Sequence, residues 1–115
     1  MPKVHNYEEM VAGSTYAPLP IDLRDAATGL ALDLTGATVT ITIIDQATGQ
    51  IIVEDGEGEQ NEDNPYLVEF FFTDDQANKI TVASTWLAQW TLTAANGRKH
   101  LVPIIGRIPV FPRTV

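Results

Sequence analysis

The residues of this chain best equipped for chemistry are the carboxylates between Glu54 and Asp63, where six acids and two glycines occur with no base. Asp55, Glu57 and Glu59 alternate as the first three oxygen ligands of a calcium loop would. An EF-hand then requires glycine at the sixth position and glutamate at the twelfth, and those positions hold Gln60 and Tyr66. The run is not an EF-hand. It reads as a solvated acidic loop ending at Asn64-Pro65, and weak calcium binding is a hypothesis that unchanged amide shifts in a calcium titration would dismiss.

The remaining reactive residue types do not assemble into a catalytic set. His5 and His100 are the only histidines, and neither has an acid and a nucleophile arranged around it in the sequence. Ser14 and Ser84 lack the context of a nucleophile elbow. Asp74-Asp75 is a pair of acids, but Thr73-Asp74-Asp75-Gln76 matches a helix capping box, with the two acids in the first turn. No catalytic residue, metal site or cofactor is expected, and the chain reads as a non-enzyme. The absence of cysteine excludes disulfides, thiol catalysis and a cysteine-based zinc site. Trp86 and Trp90 have the residue type that stacks on sugars. On a strand, however, they share a face with Ala88 and Leu92. Trp90 therefore reads as core, while Trp86, at the strand's start, stays open between core and surface.

A chain of 115 residues with 44% hydrophobic content is one domain with enough apolar side chains for a core. Seven bases against fifteen acids give a net charge of −8, which repels phosphate backbones and anionic lipid. Neither nucleic acid nor membrane is expected as a partner, nor is a small-molecule substrate. No stretch reaches the roughly 18 apolar residues of a membrane span. The N-terminal residues lack the apolar core of a secretory signal, so the cytoplasm is the default location.

The elements that must position all this are strands. From Thr38 to Ile43 threonine alternates with β-branched aliphatics, so Val39, Ile41 and Ile43 line a core while Thr38, Thr40 and Thr42 face outward. Tyr66 to Phe72 places Val68 and Phe70 on one face, and Trp86 to Thr93 places Trp90 and Leu92 on one face. The predicted core is therefore Val39, Ile41, Ile43, Val68, Phe70, Trp90 and Leu92. Asp25 to Gly29 and Asp45 to Gly49 read as related turns opened by aspartate and closed by Thr-Gly. Asn96-Gly97 predicts a type I′ hairpin, with a return strand from Arg98 to Ile105 that Pro103 confines to an edge or ends early. Ile80 to Ala83 is expected to be extended. Seven to nine short strands with one or two single-turn helices make an all-β antiparallel sandwich.

Asp33-Leu34-Thr35-Gly36-Ala37-Thr38-Val39 resembles the Asp-Leu-Thr-Gly-Ala-x-Val signature of immunoglobulin-like domains in tailed-phage structural proteins, such as the N-terminal domain of baseplate upper proteins. Trp90-Thr91-Leu92-Thr93, Asn96-Gly97 and Leu101-Val102-Pro103 follow in the same order as in those domains. The glycine that usually precedes the penultimate strand is replaced by Ser84-Thr85. The resemblance spans about residues 18–111 and implies an immunoglobulin-like β-sandwich acting as a non-enzymatic virion component: neck, capsid decoration, baseplate or fibre attachment. It implies other virion proteins and copies of this chain as partners, in the host cytoplasm during assembly and then in the virion. A carbohydrate-binding or host-adhesion module is the alternative.

The ends of the chain are the expected contact arms. Residues 1–13 form an N-terminal arm, 14–106 the sandwich and 107–115 an extended proline-rich tail. In the arm, Asn6 can cap a short helix ended by Gly13, with Val4, Tyr7, Met10 and Val11 as its apolar stripe. Packing on its own sandwich and docking on a neighbouring subunit are both open. Val110 and Phe111 raise the same question in the tail.

Overall fold

Eight residues from Thr38 to Asp45 form β4, and their alternation sets the architecture. Val39, Ile41 and Ile43 are buried, and the two isoleucines have no exposed surface at all. The computed structural model describes residues 3–13, 18–24, 28–30 and 34–112, without the side chains at positions 3, 103 and 104. In chain order the elements are β1 (Lys3–Asn6), β2 (Met10–Val11), β3 (Leu19–Asp22), β4 (Thr38–Asp45) and β5 (Ile51–Glu57), followed by β6 (Glu59–Gln60), β7 (Leu67–Phe70), α1 (Asp74–Ala77), β8 (Ser84–Thr93) and β9 (Lys99–Phe111).

Two sheets face each other. The larger has the order β1-β9-β8-β4-β5, with β2 also on β9, and the smaller has the order β3-β7-β6. The protein is an all-β sandwich. Its β9-β8-β4-β5 and β3-β7-β6 orders match the immunoglobulin arrangement, in which the second, fifth and fourth strands oppose the seventh, sixth and third plus one added strand. Among the described residues only β1 and β2 pair in parallel, both with β9. Between the sheets lie Trp86, Trp90, Ile41, Ile43, Ile108, Val68 and Val110, the largest fully buried side chains. Phe70 and Phe72 stack edge to face at 5.2 Å, and Phe72 lies 6.1 Å from Trp86. Phe70 joins the core as expected, whereas Leu92, near the end of β8, is only half-buried against it.

The capping box is present. The Gln76 amide N–H donates to Thr73 Oγ1, and the Thr73 amide N–H donates to Gln76 Oε1. The turn at Asp45 is also as its residues dictate, with Asp45 Oδ1 accepting from the Ala47 and Thr48 amides. Of its counterpart, residues 25–27 lie outside the described part.

Five local expectations are corrected. The arm is not helical, because β9 offers an open ladder to which Lys3–Asn6 and Met10–Val11 hydrogen-bond, an option invisible to helix-capping logic. The tail does not leave the sandwich at residue 107, since β9 runs unbroken to Phe111 between β8 and the arm. Its prolines fit because each falls where the ladder is interrupted. Pro103 sits in a bulge between the pairs Gln89–Ile105 and Thr91–Leu101, and Pro109 stands opposite the residues Tyr7–Glu9 that leave the sheet between β1 and β2. The Ala94–Gly97 hairpin is not type I′. Asn96 keeps a negative φ, and only Gly97 turns positive, at 85°, as in a type I turn closed by a glycine bulge. Finally, the acidic run is not one loop: Glu54–Glu57 end β5, and Glu59–Gln60 pair with β7. Ile80–Ala83 is a bend rather than a strand, although Ile80 is buried.

Gly58 makes the crossing between sheets possible. A β-carbon there would lie 2.5 Å from Val68 Cγ1 and 3.2 Å from Trp90 Cζ3, so only glycine lets the chain pass over the core so closely.

Candidate functional site

The outer face of the larger sheet carries the first unusual surface. A sandwich buries one face of each sheet and ordinarily wets the other, which calls for polar outward residues. Here the outward positions run Ile51, Ile44, Leu87, Arg107 and Asn6 across one row, as the strand registers dictate. The next row runs Thr42, Gln89, Ile105 and Val4. Pro109 lies beyond Arg107, and Val11 pairs with Phe111 at the sheet's corner. Val4 and Ile51 are each 50% exposed, Val11 44% and Phe111 40%. Ile44, Leu87, Ile105 and Pro109 are half-buried by their neighbours. Within these two rows Arg107 is the only charge, in a chain of net −8. Five apolar side chains with a single charge in two outward rows have the composition of an interface core rather than of ordinary surface.

A second feature lies at the sheet edge, where Tyr7, Glu8 and Glu9 strap across from β1 to β2. Tyr7 turns inward and lies flat on Gly106, where an added β-carbon would overlap its Cε2 atom. Its hydroxyl donates to the Pro20 carbonyl at 2.9 Å and accepts from Trp90 Nε1 at 3.1 Å. One phenol therefore ties the strap to β3 in one sheet and β8 in the other. Burial pushes the Tyr7 phenol above its usual pKa, and the hydrogen bond from Trp90 offsets part of that rise. His5 packs edge-on against the Tyr7 ring at 4.5 Å.

Beside the strap a cleft of about 440 Å³ opens between the two sheets. Met10, Leu19, Phe72 and Ile108 form its buried floor, and Pro18 and Pro20 form one wall. His5, Asn6, Glu8 and Glu9 stand on the strap side, exposed.

The predicted contact residues thus divide. Val4, Val11 and Phe111 are on the surface, at one corner of the apolar face. Met10 and Val110 pair with each other and are buried, at 8% and 0% exposure, so neither belongs to the exposed apolar face. Tyr7 is half-buried in its own sandwich. Ile44, Ile51, Leu87 and Ile105 escaped the sequence reading, although the apolar character of Ile44 and Leu87 on the threonine-bearing sides of β4 and β8 was a usable signal. Trp90 is core as expected, and Trp86, which the sequence left open, is core as well: each is 1% exposed, so neither offers a face for stacking on a sugar. Among the described residues no three acids or histidines converge on a point that could hold a metal, and Asp55, Glu57 and Glu59 are spread along β5 and β6. His100 is exposed on β9, far along the strand from the strap.

No protein-family model matches the chain, and no curated protein is similar enough in sequence to be matched. Among solved structures the fold is similar to the crystal structure of CopC from Methylosinus trichosporium OB3b. The likeness has a TM-score of 0.51 at 12% identity and covers 93% of this chain and 87% of that one. At that identity the likeness shows the fold alone.

Proposed function

We propose that the chain is a non-enzymatic structural protein of a tailed-phage virion, a component of neck, capsid decoration, baseplate or fibre attachment that works by protein–protein assembly. The observation that carries assembly is the outer face of the larger sheet, where exposed Val4, Val11, Ile51 and Phe111 lie in or beside two cross-strand rows whose only charge is Arg107. The virion setting rests on the resemblance of the segment Asp33–Val39 to immunoglobulin-like phage domains. The partners are other virion proteins and copies of this chain, met in the host cytoplasm and retained in the virion. Many copies on a particle make weak single contacts cooperative, so each face needs only modest affinity.

The test is absolute mass by light scattering of the full-length protein across a concentration series, repeated with Val11→Glu and Ile51→Glu. Both residues are exposed, so the variants retain the fold. The reading expects a closed oligomer that the substitutions dissociate. A monomer at every concentration would remove copies of the chain from the list of partners. An oligomer indifferent to both changes would place assembly on another surface.

A further inference from the structure

The cleft beside the strap is a built recess that the apolar face does not use. Its volume of about 440 Å³ lies in the range of ligand sites, roughly 300–1,000 Å³. Its floor is wholly apolar, from Met10, Leu19, Phe72 and Ile108, and each of those side chains is already immobilised by the core. The bond from Tyr7 to Pro20 joins the strap to β3 across the recess, so its width is set before anything enters. The strap supplies two exposed carboxylates, Glu8 and Glu9, and no lysine or arginine lines the recess among the described residues. An apolar hole with an acidic lip on a protein of net −8 repels acidic ligands and favours an apolar group carried next to a base.

We infer that this cleft takes one apolar side chain of a partner protein, presented on a basic peptide segment whose lysines or arginines meet Glu8 and Glu9. The inference rests on the reading of the chain as an assembly component and names a second contact, chemically distinct from the sheet face. The floor supplies the larger share of the affinity by excluding water, and the two carboxylates supply orientation and selection by charge.

The probe is the acetylated, amidated tetrapeptide Lys-Leu-Phe-Lys, titrated into the full-length isotope-labelled protein with amide shifts as the readout. Saturable shifts confined to His5–Met10, Leu19, Phe72 and Ile108 are expected. The peptide Glu-Leu-Phe-Glu should shift the same amides far less. The double variant Glu8→Lys with Glu9→Lys should bind the basic peptide several-fold more weakly. Reversal of Glu62 and Asp63, which do not line the cleft, should leave binding unchanged. A melting curve on each variant confirms that it is folded. No saturable shift at millimolar peptide, shifts mapped elsewhere, or equal binding of the acidic peptide would each overturn the inference. Because light scattering reads the sheet face independently, a protein that oligomerises but ignores the peptide refutes the cleft alone.

Discussion

Replacing Tyr7 by phenylalanine removes one oxygen and tests whether the strap is part of the core or an appendage. The ring, its seat on Gly106 and its contact with His5 all remain. The change deletes a 2.9 Å bond to the Pro20 carbonyl and a 3.1 Å bond from Trp90 Nε1. Trp90 is 1% exposed, so its indole N–H is left buried without a partner. An orphaned donor of that kind costs about 1–3 kcal/mol, and the lost bond to Pro20 adds roughly 0.5–1.5 kcal/mol. We expect a loss of about 1.5–4.5 kcal/mol, a large fraction of the ~5–15 kcal/mol that holds a domain folded. At about 4 °C per kcal/mol for a domain just over 100 residues, melting should fall by about 6 °C or more. Urea unfolding followed by tryptophan emission reads it directly, since Trp86 and Trp90 are both buried reporters. The same variant carries a pH signature. Because burial raises the Tyr7 pKa in the folded protein, the group's contribution is complete below the unfolded value of about 10. It is lost as pH rises through the higher folded value, and Tyr7→Phe should lack that alkaline decline. A loss below about 0.5 kcal/mol together with an unchanged alkaline limb would refute the bridge and return the strap to the status of a loose arm.

The remaining expectations follow from the same packing. Gly106→Ala should destabilise by about 1–3 kcal/mol, because the new methyl overlaps Tyr7 and stands 3.3 Å from Ala88 Cβ. Combined with Tyr7→Ala its cost should largely vanish, which a double-mutant cycle in urea would show. Trp90→Ala should cost roughly 3–5 kcal/mol by the same measurement, and a small cost would contradict its burial. Thr73→Ala should cost about 1 kcal/mol by removing the Oγ1 that accepts from the Gln76 amide, although the Thr73 amide can still donate to Gln76 Oε1, whereas Thr73→Ser should retain most of the stability. Deleting residues 1–13 strips β9 of its parallel partners and uncovers Trp90 Nε1, so thermal melting should show a severely weakened or unfolded protein.

Wherever local chemistry decides the outcome, the chain states its own structure. Alternating threonine and β-branched residues from Thr38 to Ile43 produce one buried and one outward face, because a strand's side-chain period is two. The capping box at Thr73 and the aspartate turn at Asp45 close hydrogen bonds within three residues, so short sequence windows contain everything they need. The arm is different. Asn6, Glu9 and Gly13 satisfy the rules for a short helix, but one isolated turn is marginal in water. The open ladder of β9, about a hundred residues away, offers more hydrogen bonds and the seat on Gly106. No local window contains that competitor.

What the amino-acid order determined alone is therefore the sandwich class, the core positions Val39, Ile41, Ile43, Val68, Phe70 and Trp90, and the capped helical turn at Thr73. Only the tertiary structure decided which apolar residues were free. Val4, Val11 and Phe111 stayed on the surface, Met10 and Val110 went into the core, and Ile44, Ile51, Leu87 and Ile105 came together across four strands. The physical reason is that alternation tells a residue's side of its own strand, whereas a functional face is made of registers between strands, and those depend on pairings distant in sequence.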